Sequence, residues 1–231
     1  MADIIAPMRR LLPDPVDHLT VAEAYGVPRS MVDGRPWVGL CMVSGLDGST
    51  VVDDSSRALS SPADSEVLLG LRRLADVIVV GASTVRIEGY GTPSKPGQRL
   101  GVVSRTGTGI DFTTELFTSG AGFVIVPESA PALPVDSIRA GIGDVDFAAA
   151  LIKLGDAMGA TFVHAEGGAG LNAALATADV IDELNLTISP VISGGDGYRV
   201  TAGAPPLLHR MDLAHVLEDD GFLFTRYLRR R

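Results

Sequence analysis

The segment Glu166–Gly167–Gly168–Ala169–Gly170 holds the residues of this chain best suited to chemistry. A β-rich apolar run, Thr161–Phe162–Val163, leads into it, and Leu171 and Leu175 follow one helical turn apart. Strand, glycine loop and helix together present free backbone N–H groups at the positive end of a helix. That is a cradle for an anion, most often the diphosphate of a nucleotide or dinucleotide, and glycine lets the backbone come close. The same residues also suit a plain strand-to-helix turn in an α/β core. A second junction of this kind, Gly81–Ala82–Ser83–Thr84–Val85, follows the apolar run Val77–Val80 about 86 residues earlier. Neither junction matches G-x-G-x-x-G, and the stronger one falls late in the chain. Two separate cradles point to a sheet that holds a dinucleotide across several strand ends. Between them, Val102–Val103–Ser104–Arg105–Thr106 closes an apolar run with a hydroxyl and a guanidinium. Those groups suit a phosphate monoester, which arginine grips bidentately, or simply an exposed turn with a solvated arginine.

The elements that must position these groups are legible around them. Trp37–Val43 reads as a buried strand ended by the turn Ser44–Gly45–Leu46–Asp47–Gly48. Ser61–Pro62–Ala63–Asp64 is a helix start with an N-cap serine, proline at N1 and an acid in the first turn. The helix runs to about Leu74, with Val67, Leu68, Leu71 and Leu74 at helical spacing. Val77–Val80 is an all-apolar strand of the kind covered on both faces in parallel sheets. Further strands are expected at Leu100–Val103, Phe123–Val126 and Thr161–Val163, with a helix at about Phe147–Met158. Asp182–Ser189 alternates as a strand, and the last residues form a hairpin turning at Asp219–Asp220–Gly221. Residues 1–34, rich in proline and polar turns with one short helix near Thr20–Tyr25, read as an N-terminal extension packed on the rest. Residues 35–231 read as one domain: a mostly parallel sheet, helices on both faces and an antiparallel C-terminal hairpin.

Composition narrows the function. The 231 residues carry 19 Lys+Arg against 28 Asp+Glu, a net charge of −9, and the one basic run is Arg229–Arg231. That argues against a broad nucleic-acid face. No apolar run approaches the roughly 20 residues of a membrane span. The N-terminal residues lack the pattern of a secretory signal. The single cysteine, Cys41, excludes an intrachain disulfide framework and suits a reducing cytosol. His18, His164, His209 and His215 show no ligand spacing, so no metal is expected. The expectation is a cytoplasmic α/β protein.

Taken in order, Ser44–Gly45–Leu46–Asp47–Gly48, Leu59–Ser60–Ser61–Pro62, Leu71–Arg72, Val80–Gly81–Ala82–Ser83–Thr84–Val85, Ser104–Arg105 and Glu166–Gly167–Gly168 resemble the dihydrofolate-reductase-like fold. More closely, they resemble the reductase domain of the bifunctional deaminase-reductase of riboflavin biosynthesis and its stand-alone pyrimidine reductase relatives. The likeness covers roughly residues 36–200. The zinc signature of the deaminase module has no counterpart in the chain. The resemblance implies NADPH lying across the C-terminal ends of the strands. Gly81, Ser83, Thr84 and Val85, with Gly167, Gly168, Gly170 and Leu171, would hold its diphosphate and nicotinamide side. Ser104 and Arg105 would take the 2′-phosphate, and Ser44 and Ser60 would line the nicotinamide pocket. Ser56 and Arg72 match positions that hold the phosphorylated substrate, although Arg72 also reads as a surface helix residue. Glu166 falls at the family's active-site acid, where it would meet substrate N–H or hydroxyl groups. Asp47 is the second catalytic candidate and equally an Asp-Gly turn residue. The implied reaction is hydride transfer from NADPH that turns the ribosyl group of a 5-amino-6-ribosylamino-uracil phosphate into ribityl. A homodimer is also implied.

Three departures touch the substrate half. Cys41 stands where the bifunctional enzymes usually have lysine, Glu88–Gly89 replaces an acidic pair, and a downstream phosphate-binding arginine becomes Lys95 or is missing. Two alternatives therefore stand beside pyrimidine reduction. One is reduction of dihydrofolate or another heterocycle; the other is an NADPH-binding relative without turnover. A dihydrofolate reductase usually carries a pterin-protonating acid in the first helix after the first strand. Asp64 is the nearby candidate, and its helix-start role accounts for it.

Overall fold

The computed structural model describes residues 8–231, so the first seven residues of the N-terminal extension lie outside the described residues. The described residues begin with two short strands, β1 (Met8–Leu12) and β2 (Val16–Leu19), and a short helix, α1 (Val21–Tyr25). Thr20 caps α1 in a reciprocal box with Glu23. Strand β3 (Trp37–Ser44), helix α2 (Pro62–Leu74), strand β4 (Val77–Gly81) and helix α3 (Ala82–Glu88) follow. Then come β5 (Arg99–Val103), α4 (Glu115–Thr118), β6 (Gly122–Val126), β7 (Ser137–Arg139) and α5 (Phe147–Met158). The chain ends with β8 (Phe162–Ala165), α6 (Ala169–Thr177), β9 (Glu183–Ile188) and the hairpin β10 (Met211–Asp219) and β11 (Phe222–Arg229).

The eleven strands of the described residues join one sheet in the order β2-β1-β10-β11-β9-β3-β8-β4-β5-β6-β7. The stretch from β9 to β7 is parallel, and the pairs from β2 to β9 are antiparallel. The extension does more than pack on the domain: β1 pairs with β10 and prolongs the sheet at its antiparallel end. Neither β1 and β2 nor the short β7 and α4 were legible in the sequence, because elements of three to five residues are too brief to establish a period.

Alternation along each central strand feeds two cores. Val38, Leu40, Val77, Val79, Val163 and Ala165 face one way and bury Leu151 and Leu154 of α5 and Leu171 and Leu175 of α6. On the other face, Cys41 meets Val67 and Leu71 of α2, while Ile78, Val80, Leu100 and Val102 meet Leu116 and Phe117 of α4. At the opposite end from the glycine loops, charged groups knit the sheet to the extension. Glu183 accepts from Arg29, Trp37 and Arg226, and Asp182 accepts from Arg35. Burial would raise the Glu183 carboxyl, but Arg226 and Arg29 hold it down at about 2. With both cores so covered, the C-terminal ends of β3, β4, β5 and β8 open onto one edge, the usual place for a ligand crevice in such sheets.

Candidate active site

Two clefts of about 860 and 890 Å³ open along that edge. They meet at Ser83, Gly170, Ala202 and Gly203, which line both. One cleft is lined by Gly81, Ser83, Arg86, Ser104, Arg105 and Leu171. The other is lined by Cys41, Ser56, Ser60, Asp64, Thr84 and Glu166, among others. The sequence-derived positions Gly81, Ser83, Ser104, Arg105, Gly170 and Leu171 therefore fall together on the first wall, and Ser56, Ser60, Thr84, Glu166 and Gly168 on the second.

The glycine loop is built by few contacts. Gly167 has φ +82°, a conformation that suits glycine, and the Gly167–Gly168 peptide is cis. The Gly167 carbonyl accepts from Gly81 N at 2.7 Å, so the two junctions that seemed separate in sequence are hydrogen-bonded to each other. Thr84 Oγ1 accepts from Gly168 N at 2.8 Å. The first α6 backbone bond runs from Asn172 N to Gly168 O, which leaves the preceding amides of Ala169, Gly170 and Leu171 outside the helical ladder. A Cβ added at Gly170 would meet no protein atom within 4 Å. The helix start is therefore open at Gly170, where the clefts join.

Glu166 is the electrostatic centre of the acid-lined cleft. Its carboxylate accepts from Arg72 Nε and Nη2, both at 2.6 Å, and from the Tyr90 hydroxyl at 3.0 Å. His164 Nε2 lies 3.3 Å from Oε1 without hydrogen-bond alignment. Burial alone would raise this carboxyl, but His164 and Arg72 overcome it and hold it at about 2. Near neutral pH Glu166 is thus an ionised acceptor and has no proton to donate. Burial, and then the Glu166 charge, pushes the Tyr90 phenol up. Burial, and then Asp64, does the same to the Cys41 thiol.

Several expected positions are elsewhere. Arg72 closes its fork on Glu166 and is absent from the lining of the cleft, because a buried carboxylate binds the nearest guanidinium. Asp47 lines neither cleft: its carboxylate accepts from the amides of Ser193 and Gly194 at 2.8 and 2.7 Å. Its work is to pin the loop after β9 to the turn after β3. Ser44 is buried at the end of β3, with its carbonyl accepting from Ser189 N. Val85 packs into the core beneath α3. Gly167 shapes the loop from behind and lines neither cleft. Lys95 donates to the Ala75 carbonyl at 2.7 Å, where the chain leaves α2.

Other lining residues escaped the sequence reading. Arg86 and Tyr90 lie just beyond the second glycine junction, so their positions were a usable signal. Thr50, Val51, Tyr198, Ala202 and Gly203 come from irregular segments without periodicity, which only the tertiary fold brings to the cleft. Among the described residues, no group of three or more His, Cys, Asp or Glu is arranged to hold a metal ion, and no helix is long and apolar enough to cross a membrane.

A doubly covered α/β sheet with a two-part crevice over a glycine-rich helix start is the architecture of a dinucleotide-using oxidoreductase. Residues 36–222 match the RibD C-terminal domain, and the chain belongs to that family. It is 33% identical over 181 residues to the 2,5-diamino-6-ribosylamino-4(3H)-pyrimidinone 5′-phosphate reductase of Methanothermobacter thermautotrophicus, covering 71% of this chain and 82% of that one. Among solved structures, a pyrimidine reductase-like protein from Corynebacterium diphtheriae superposes with a TM-score of 0.78 at 22% identity, over 92% of this chain and all of that one. The diaminohydroxyphosphoribosylaminopyrimidine deaminase/5-amino-6-(5-phosphoribosylamino)uracil reductase of Thermotoga maritima gives 0.70 at 21% identity, over 85% of this chain and 57% of that one. The fold is that of these reductases, and the chain is an oxidoreductase of a family that uses a nicotinamide cofactor.

Proposed function

We propose that the chain reduces a ribosylaminopyrimidine phosphate with NADPH, a step of the riboflavin-biosynthesis type. The observation that carries this reading is the junction of the two clefts at Gly170, one wall bearing Arg86, Ser104 and Arg105 and the other bearing Glu166. The first wall suits the phosphates of a dinucleotide: two guanidiniums, a hydroxyl and the open amides of α6 all favour negative charge. An NADPH 2′-phosphate needs such a cation, and Arg105 and Arg86 are the candidates. Gly170 leaves room for the cofactor's backbone at the joint. When bound there, the nicotinamide would supply a hydride which, with a proton taken from solvent, converts ribosyl to ribityl.

The protein's share is orientation. Ser60, Asp64 and Glu166 offer hydrogen-bond acceptors to the substrate ring, and Ser56 stands farther along the same wall, with its Oγ 3.5 Å from Glu88. Fixing donor and acceptor carbons in near-attack geometry provides most of the acceleration in such transfers. Glu166, already ionised, acts by accepting hydrogen bonds. The single cysteine fits a reducing cytoplasm, and the homodimer rests on the resemblance.

A second reading, reduction of a dihydropterin, draws support from one observation: Asp64 faces the cleft, whereas Arg72, the expected phosphate partner, is turned onto Glu166. The assay is NADPH oxidation followed at 340 nm with the 2-amino- and 2-oxo-pyrimidine phosphates and with dihydrofolate. Turnover of a pyrimidine supports the first reading. Turnover of dihydrofolate alone moves the assignment to the second, and tight NADPH binding without any turnover overturns both.

A further inference from the structure

Glu166 borders the cleft with its acceptor sites already engaged. Its Oε1 accepts from Arg72 Nε and faces His164 Nε2 at 3.3 Å; its Oε2 accepts from Arg72 Nη2 and from the Tyr90 hydroxyl. A carboxylate has about four acceptor sites, and these groups lie against all of them. The side chain is only 2% exposed, although the residue lines the cleft. A ligand that is to bond Glu166 must therefore displace one of its neighbours, and the neighbours differ greatly in what that costs.

Arg72 is held by two bonds of 2.6 Å, and removing it would strand a buried carboxylate without its counter-charge. His164 is fully buried on β8, between β3 and β4. Tyr90 makes a single bond to Glu166, at 3.0 Å, and with a neutral donor. It is half-buried, lines the same cleft and lays its ring over the Arg72 guanidinium at 5.4 Å. Its backbone can give way. Gly89 has φ +70°, and a Cβ at Gly89 or Gly91 would meet nothing within 4 Å. Residues 90–94 make no backbone–backbone hydrogen bond among the described residues. We infer that Tyr90 is a latch on Glu166: its hydroxyl holds the place on Oε2 that a ligand N–H or O–H takes, and the ring swings aside as that bond forms. Tyr90 thereby sets which ligands reach the acid. A ligand with a donor aimed at Oε2 restores the bond that the phenol gives up. One with an acceptor or an apolar group there leaves a buried carboxylate short of a donor and is refused. The inference rests on the reading that this cleft takes the hydride acceptor.

The test compares Tyr90→Phe with the native protein, using NADPH and whichever of the two pyrimidine phosphates or dihydrofolate is turned over. Phenylalanine keeps the ring and removes the competing donor. KM for the acceptor is expected to fall about 10-fold, the lower end of the scale set by a hydrogen bond to a charged group. The gain appears in KM, with NADPH affinity unmoved, while the variant melts lower for want of the bond to Glu166. In Glu166→Gln, which weakens the acceptor, adding Tyr90→Phe changes KM by less than about threefold. Stability and substrate affinity thus move in opposite senses, which a merely structural tyrosine does not produce. A KM that rises in Tyr90→Phe makes the hydroxyl a direct ligand contact and overturns the latch; an unchanged KM overturns it as well. If none of these compounds is reduced, the pathway reading fails on its own, and calorimetry of the same compounds on the protein loaded with NADP+ decides. Binding about tenfold tighter in Tyr90→Phe sustains the latch, and equal, weaker or absent binding refutes it.

Discussion

Replacing Gly170 by valine puts a side chain into the cradle without pressing on the protein. A Cβ at Gly170 meets no atom within 4 Å, although the residue lines both clefts. The same substitution at Gly168 sets a Cβ 2.8 Å from Thr84 Oγ1, a separation that forces the loop to move. The two variants should therefore part company. At Gly170, in the first turn of α6, glycine gives little helix stability, so valine leaves folding within about 1 kcal/mol of the native protein. Its methyl groups fill space that a bound diphosphate needs, and NADPH affinity should fall by at least about 100-fold, or roughly 2.7 kcal/mol. At Gly168 the overpacking costs about 1–3 kcal/mol, which in a chain of this size lowers the melting temperature by several degrees before any ligand is added. Thermal melts with and without NADPH, together with titration of NADPH fluorescence, separate the two effects. Native-like NADPH affinity in Gly170→Val, with folding intact, would place the phosphates elsewhere and refute the cradle.

Two further outcomes follow from the charges. Arg105→Ala should weaken NADPH about 10- to 100-fold and NADH less than threefold, since a hydrogen bond to a charged phosphate contributes about 1.5–3 kcal/mol; Arg86→Ala should shift binding in the same direction, and equal loss for both cofactors would show that neither arginine meets the 2′-phosphate. Glu166 and Glu183 are each held at about 2 against an ordinary 4.5. Because these values are depressed, their stabilisation is complete above pH 4.5 and disappears as pH falls through 2; by pH 3 each should have lost on the order of 2 kcal/mol. Urea unfolding at pH 7 and pH 3 measures this, and equal stability at the two pH values would contradict the ion-pair account.

Long, strongly patterned elements were readable in advance. The apolar run Val77–Val80 and the helix begun by Ser61–Pro62 gave their positions to within a residue, because burial on both faces and end-capping are local properties of sequence. The wall bearing Gly81, Ser83, Ser104 and Arg105 was largely legible for a similar reason: glycine junctions and a strand-ending Ser104–Arg105 are contiguous signals. The acid-lined wall was not. Arg72 reads identically whether its guanidinium is free or taken by Glu166, which is 94 residues away in sequence. Asp47 looks like a catalytic acid until Ser193 and Gly194 are brought beside it.

By itself the sequence determined that this is an α/β protein with two glycine junctions after apolar strands and a resemblance to one reductase family. Those properties depend on periodicity, caps and glycines, which act over a few residues. Tertiary structure decided which side chains are spent within the protein and which remain for a ligand. It tied Gly81 to Gly167, joined two clefts at Gly170 and turned Arg72 inward. It also directed Asp64 into the cleft. The physical reason is competition for partners: a charged or polar group takes the nearest complementary group in space, and distance along the chain does not say which group that is.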